Sequence, residues 1–92
     1  MIKLNLPAYR LRLRKEEGKP YIHDDLRQRF VSLTPEEWVR QHFVHYLMEH
    51  LGYPRELMMN EVTIQVGLTT KRCDTLLYSR QLTPRVLIEY KA

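Results

Sequence analysis

Residues 71–91 read Lys-Arg-Cys-Asp-Thr-Leu-Leu-Tyr-Ser-Arg-Gln-Leu-Thr-Pro-Arg-Val-Leu-Ile-Glu-Tyr-Lys. Two strand-forming runs, 71–78 with Leu76, Leu77 and Tyr78 and 85–91 with Val86, Leu87 and Ile88, flank the segment 79–84. That segment is short enough to join them as an antiparallel hairpin. Its middle falls between Gln81 and Leu82, so Asp74 is expected opposite Glu89. Directly opposed side chains have Cβ atoms ~4.5–5.5 Å apart, and two carboxylates so placed repel. A hard divalent cation between their oxygens offsets that repulsion. Lys91, two residues beyond Glu89, points to the same side and is a second compensating charge. The competing reading is structural: Asp74 ends a strand and Glu89–Lys91 is an edge ion pair, worth only ~0–1 kcal/mol. A one-residue asymmetry in the loop would also place the two acids on opposite faces.

Upstream, residues 60–66 alternate Val62, Ile64 and Val66 with Glu61, Thr63 and Gln65, the period of a strand. Pro54 to Met58 is read as one turn. Before it lies the clearest element. Thr34-Pro35-Glu36-Glu37 has the form of a capping box with proline at the first helical position. Gly52, followed by Tyr53-Pro54, is a natural terminator, so a helix is expected over about 35–51. Phe43, Val44, Leu47 and Leu51 fall on one stripe with Met48 at its edge, and that stripe should lie on a sheet. Trp38 falls elsewhere, beside His42 and His45. An uncovered tryptophan is costly, so the N-terminal hairpin is expected to fold over it.

That hairpin occupies the first third. Residues 9–14 alternate as Tyr-Arg-Leu-Arg-Leu-Arg, a strand pattern; 15–20 read as a turn around Gly18 and Pro20; 21–24 and 29–33 are two further short strands. Residues 1–34 carry eight Lys/Arg against four Asp/Glu, whereas 35–92 carry seven of each. All the excess charge therefore sits on the first third. Such a face can neutralise phosphates, or it can be a solvated surface that maintains solubility. Arg10, Arg12 and Arg14 share one strand face and are the candidate phosphate contacts, with Lys71 and Arg72 beside Asp74.

The 92 residues fit a single domain, 1–92, with a basic hairpin region over 1–33 and a helix-plus-sheet core over 34–92. One cysteine excludes an internal disulfide and a multi-cysteine zinc site. No apolar run approaches the ~18 residues of a membrane span, and a cytoplasmic protein is expected. His42, His45 and Glu49 share a helix side but have no further ligand spaced to complete a zinc site. Cys73 points away from Asp74's side and reads as a buried thiol; Met58 and Met59 read as filling the core.

Asp74, a fourteen-residue gap and Glu89-Tyr90-Lys91 resemble the D…ExK signature of the PD-(D/E)xK nuclease fold. Residues 33–41, Gly52-Tyr53-Pro54, Lys71-Arg72-Cys73-Asp74 and Ile88-Glu89-Tyr90-Lys91-Ala92 resemble, in that order, small proteins similar to the N-terminal nuclease domain of type I restriction-enzyme R subunits. The resemblance spans roughly 30–92 and implies an α/β (α+β) restriction-endonuclease-like core: one long helix on a mixed or antiparallel sheet. It implies Mg²⁺-dependent (or Mn²⁺-dependent) hydrolysis of DNA phosphodiesters. Asp74, Glu89 and the backbone carbonyl of Tyr90 would hold the metal, and Lys91 would complete the catalytic set. Glu37, with Glu36 as its rival, is the accessory carboxylate that such proteins draw from the first helix; the alternative for Glu37 is the capping box alone. Restriction-modification subunits are the implied partners. The family fold continues past ExK, whereas this chain stops at Ala92. A truncated core, inactive alone, is therefore expected, with its last strand an exposed edge that invites a homodimer. The other functional reading is a non-catalytic DNA-binding or assembly module with a vestigial acidic site.

Overall fold

A computed structural model of the chain describes residues 4–91. Lys3, counted in the basic third, and Ala92, at the end of the quoted signature, lie outside the described residues. Strands β1 (Leu13–Glu16), β2 (Lys19–Asp24) and β3 (Arg29–Ser32) precede helix α1 (Pro35–Glu49). A single 3₁₀ turn (Arg55–Leu57) then leads into β4 (Met58–Val66), β5 (Thr69–Tyr78) and β6 (Pro84–Ile88). The architecture is α+β: one helix and two antiparallel three-stranded sheets, ordered β1-β2-β3 and β4-β5-β6.

The first hairpin is tighter than the Gly18–Pro20 punctuation suggests. Only Glu17 and Gly18 form its turn, with φ of 48° and 78°. This left-handed pair matches the twist of the flanking strands, and glycine adopts it without Cβ strain. Lys15 and Pro20 therefore pair within the strands. Strand β1 begins at Leu13 rather than Tyr9, although His23 N still donates to Arg12 O at 2.9 Å. Tyr9 instead leaves the strand line and stacks on His45 of α1, with centroids 3.8 Å apart and rings 11° from parallel. It also meets His42 edge-on at 5.0 Å, and His42 in turn lies 4.4 Å from Trp38. The segment before β1 thus packs on His42 and His45, and His42 in turn on Trp38, which stays partly exposed. Ring nitrogens of His42 and His45 engage the Trp38 carbonyl and Asp25, so these histidines serve packing.

Helix α1 starts as expected: Thr34 Oγ1 accepts from Glu37 N at 3.0 Å, with Pro35 in the first turn. The reciprocal half of the capping box is not made, because the Glu37 carboxylate turns inward to other partners. The helix ends at Glu49. Gly52, at φ 66°, turns the chain away, and Leu51 is left 60% exposed rather than joining the stripe. The apolar core joins Val44 and Leu47 of α1 to Met58 and Leu77 of the second sheet, with Phe43, Met48, Tyr53 and Ile88 around them. Met58 fills this core; Met59, on the other side of β4, is exposed. Cys73 is fully buried.

A second set of buried groups is polar. Among the described residues eight apolar side chains are buried, and so are seven polar ones: Asp24, Glu37, Arg40, Gln41, His42, Asn60 and Thr75. Asp24 closes the β2–β3 connection by accepting from Leu26 N at 2.8 Å and Arg27 N at 3.0 Å. Its other oxygen accepts from Arg27 Nε and, at 2.9 Å, from Asn60 of β4. Burial alone would raise its pKa; the bonds from Asn60 and Arg27 outweigh that and hold it below the usual carboxylate value.

Asp24→Asn leaves the Arg27 charge without its nearest partner in a buried site, and should cost about 3 kcal/mol or more in urea unfolding. A folded-state pKa below the unfolded one gives stability that is present above the unfolded value of 3.8 and lost as pH falls through the folded pKa. The wild-type chain should therefore lose stability below about pH 4, and the Asp24→Asn chain should show a flatter acid limb in the same titration.

Candidate functional site

The β5–β6 register determines where the acidic residues lie. Leu77 pairs with Val86, Leu76 with Leu87 and Thr75 with Ile88. Asp74 and Glu89 come one step further along the same register. Regular pairing ends at Ile88 rather than continuing to Lys91, and the hydrogen bonds explain why. Tyr90 N donates to the Asp74 carboxylate, Oδ2, at 2.9 Å, so that N–H leaves the strand ladder for a side chain. The connection is one residue shorter than expected, 79–83, because Pro84 pairs with Tyr78; the register shift between Leu77 and Tyr78 compensates, and without it Asp74 would face Ile88 rather than Glu89.

Tyr90 anchors the segment. Its ring is buried, 6.1 Å from Phe43, and the Arg40 guanidinium lies 5.7 Å from its centroid. Its hydroxyl donates to Thr75 Oγ1 at 2.9 Å, and Thr75 donates onward to Asn60 Oδ1 at 2.6 Å. Burial pushes the phenol up to about 12, so it stays protonated and remains a donor. With the ring and hydroxyl held, the flanking Glu89 and Lys91 are exposed. Glu89 Oε1 lies 4.0 Å from Lys71 Nζ.

Behind this edge, Arg40 of α1 donates to the backbone carbonyl of Asp74 at 2.6 Å and to Glu61 Oε1 at 3.0 Å. Its Nε lies 3.2 Å from Glu37 Oε2, a charge contact without an aligned hydrogen bond. Glu61 Oε2 accepts from Arg72 Nε at 3.0 Å and Nη2 at 2.8 Å. Burial opposes ionisation of Glu61, but bonds from Arg72 and Arg40 hold it below the usual carboxylate range. Glu61 has φ 57°, a left-handed backbone that costs a non-glycine residue about 1 kcal/mol or more, and regular β4–β5 pairing skips it and Asp74.

The structure therefore brings together Asp74, Glu89, Tyr90 and Lys71, with Lys91 next in the chain. Arg72 is committed to Glu61. Both Glu37 oxygens are occupied, Oε1 by Arg27 at 2.8 Å and Oε2 by Gln41 at 2.9 Å, and Arg40 stands between Glu37 and Asp74. Glu36 is exposed. Arg10, Arg12 and Arg14 belong to the N-terminal part; Arg12 and Arg14 lie 5.7 and 4.8 Å from the Phe30 ring centroid, and Arg14 also pairs with Glu16 at 2.6 Å. Sequence reasoning missed Arg40 and Glu61. One signal was available: Glu37, Arg40, Gln41, Val44 and Leu47 follow the 3-4 helical spacing, so the buried stripe continues toward the N-terminus as polar residues.

A family model for the type I restriction enzyme R protein N terminus matches residues 35–92. No curated protein and no solved structure gives a significant match.

Asp74→Asn retains an oxygen to accept from Tyr90 N–H, whereas Asp74→Ala does not. Amide hydrogen exchange at Tyr90 should stay near wild type in the first variant and accelerate at least tenfold in the second, since a lost hydrogen bond of about 1.4 kcal/mol is a factor of ten.

Proposed function

The chain belongs to the type I restriction enzyme R protein N-terminus family, and from that premise we propose that it is a nuclease-type domain acting on DNA phosphodiesters through a divalent metal. One observation carries the reading. Asp74 and Glu89 fall opposite one another one step beyond the last regular pair of the hairpin, and the Asp74–Tyr90 bond fastens the Glu89-Tyr90-Lys91 segment beside Asp74. The donors on offer are two carboxylates and the Tyr90 backbone carbonyl. All are oxygens, which suits Mg²⁺ or Mn²⁺ rather than a softer ion. A bound metal would polarise the phosphate and lower the pKa of its water.

The chain's own residues supply the rest. Tyr90, held through its ring and hydroxyl, keeps its carbonyl and the two flanking side chains in place. Lys91, exposed and adjacent, orients the attacking water and meets the negative charge that develops on the phosphate. Arg40 positions the Asp74 backbone. Arg10 and Arg12, with Lys71, meet flanking phosphates, while Arg14 and Arg72 are held by Glu16 and Glu61. Strand β6 lies at the edge of its sheet with Val86 and Leu87 exposed, and pairs there with a second copy or another restriction subunit. No helix among the described residues is long and apolar enough to cross a membrane, and the domain works in the cytoplasm, where DNA is.

A second reading, a DNA-binding or assembly module without catalysis, draws on a different observation. Among the described residues no three His, Cys, Asp or Glu side chains are gathered to hold an ion, and one Asp74 oxygen is already engaged.

A Mn²⁺ titration followed by backbone NMR separates the two. The nuclease reading expects saturable broadening centred on Asp74, Glu89 and Tyr90, competed by Mg²⁺ and absent from Asp74→Asn. Where DNA cleavage is measurable, Lys91→Ala should lower kcat by about 100-fold, the scale of losing one group that stabilises transition-state charge. DNA binding that is indifferent to metal, with no broadening at these residues, would favour the module.

A further inference from the structure

At the C-terminal end of β5, a shallow cleft lies between the 3₁₀ turn and the β5–β6 connection, lined by Tyr53, Pro54, Tyr78, Ser79, Arg80 and Arg85. Its walls are braced. Tyr53 OH donates to the Tyr78 carbonyl at 2.5 Å. Ser79 N donates to Thr83 O and Leu82 N to Ser79 O, both at 2.9 Å, and the Ser79 and Thr83 hydroxyls are 2.8 Å apart. These bonds hold the turn that carries Arg80 and leads to Arg85. Elsewhere Arg14, Arg27, Arg40 and Arg72 each have a carboxylate partner. Among the described residues Arg10, Arg12, Arg29, Arg55, Arg80 and Arg85 have none, and Arg80 and Arg85 are set apart by lining the same cleft. Two guanidinium groups on one braced cleft, with no acid to neutralise them, favour an anion that can accept several hydrogen bonds.

We propose that this cleft binds a phosphate group, as presented by a nucleic-acid backbone, with Arg80 and Arg85 as its two forks. This deepens the DNA-directed reading above and rests on it. Strand β5 rises ~3.4 Å per residue, so Ser79 lies roughly 17 Å along the strand from Asp74. Phosphates on one strand of a duplex advance ~3.4 Å each along the axis, so the cleft would meet a phosphate about five nucleotides from the one at Asp74. The cleft thus acts as a second grip that aligns the duplex with β5.

The test uses the full chain in EDTA, with NMR read at the Ser79, Arg80 and Arg85 amides and the arginine Nε–H groups. Inorganic phosphate and a 12-base-pair duplex are titrated separately, then against each other. With inorganic phosphate, saturable shifts confined to the cleft are expected, and the duplex should displace the phosphate. Arg80→Gln with Arg85→Gln should abolish them, leave thermal unfolding unchanged, and reduce the salt slope of DNA binding by about 0.9, the value for one lost phosphate contact. Inorganic-phosphate shifts spread equally over Arg10, Arg12 and Arg14, or none at Arg80 and Arg85 with either ligand, would overturn the site. Phosphate binding that the duplex cannot displace would overturn its assignment to nucleic acid and leave a free-phosphate site. Because the titrations are run in EDTA, without divalent metal, and are read at the cleft's own amides, failure of the metal site and failure of the cleft are read independently.

Discussion

The fold depends on a circuit of buried polar contacts. Arg27 joins Asp24 of the first sheet to Glu37 of the helix. Glu37 meets Gln41 and Arg40, and Arg40 reaches the Asp74 carbonyl. The Asp74 carboxylate holds Tyr90, Tyr90 holds Thr75, Thr75 holds Asn60, and Asn60 returns to Asp24. The circuit touches both sheets and the helix. The apolar cluster is narrower, since its buried members come from α1, β4 and β5. Hydrophobic burial is non-directional and tolerates sliding; a charge without its partner in a buried site does not. The polar circuit therefore limits how the first sheet can sit on the rest.

The same arrangement links stability to the candidate chemistry. Asp74 serves the circuit through its backbone carbonyl and one carboxylate oxygen, which leaves the other oxygen for a ligand. Tyr90 is buried by its ring and hydroxyl, while Glu89 and Lys91 on either side face solvent. A rigid buried residue between two exposed functional ones places them on a well-held backbone, which is what a site working within fractions of an ångström requires.

Much of this was legible in the linear chain where the determinants are local. Thr34 and Pro35 mark the helix start, Gly52 its end, and the turn residues after Tyr78 mark the last hairpin, although its register also depends on the irregularity between Leu77 and Tyr78. Local reasoning overextended where tertiary contacts compete with local pattern. The alternation from Tyr9 continues unbroken into β1, yet Tyr9 leaves the strand line for His45. The apolar run past Ile88 ends early because an aspartate side chain claims the Tyr90 N–H. Leu51 fits the stripe by angle but follows the helix end.

What the sequence determined by itself is the set of elements, their order, and the pairing across the last hairpin, because caps, turn residues and periodicity act over a few residues. What only the tertiary structure decided is the fate of the charges. Glu37 could cap its own helix or reach inward; Arg40 could be solvated or bridge to the sheet. Those outcomes turn on partners far along the chain, Arg40 with Asp74 across 34 residues and Asp24 with Asn60 across 36. No local period encodes which buried acid a given arginine will meet. That is settled only when the helix and both sheets close around the same small volume.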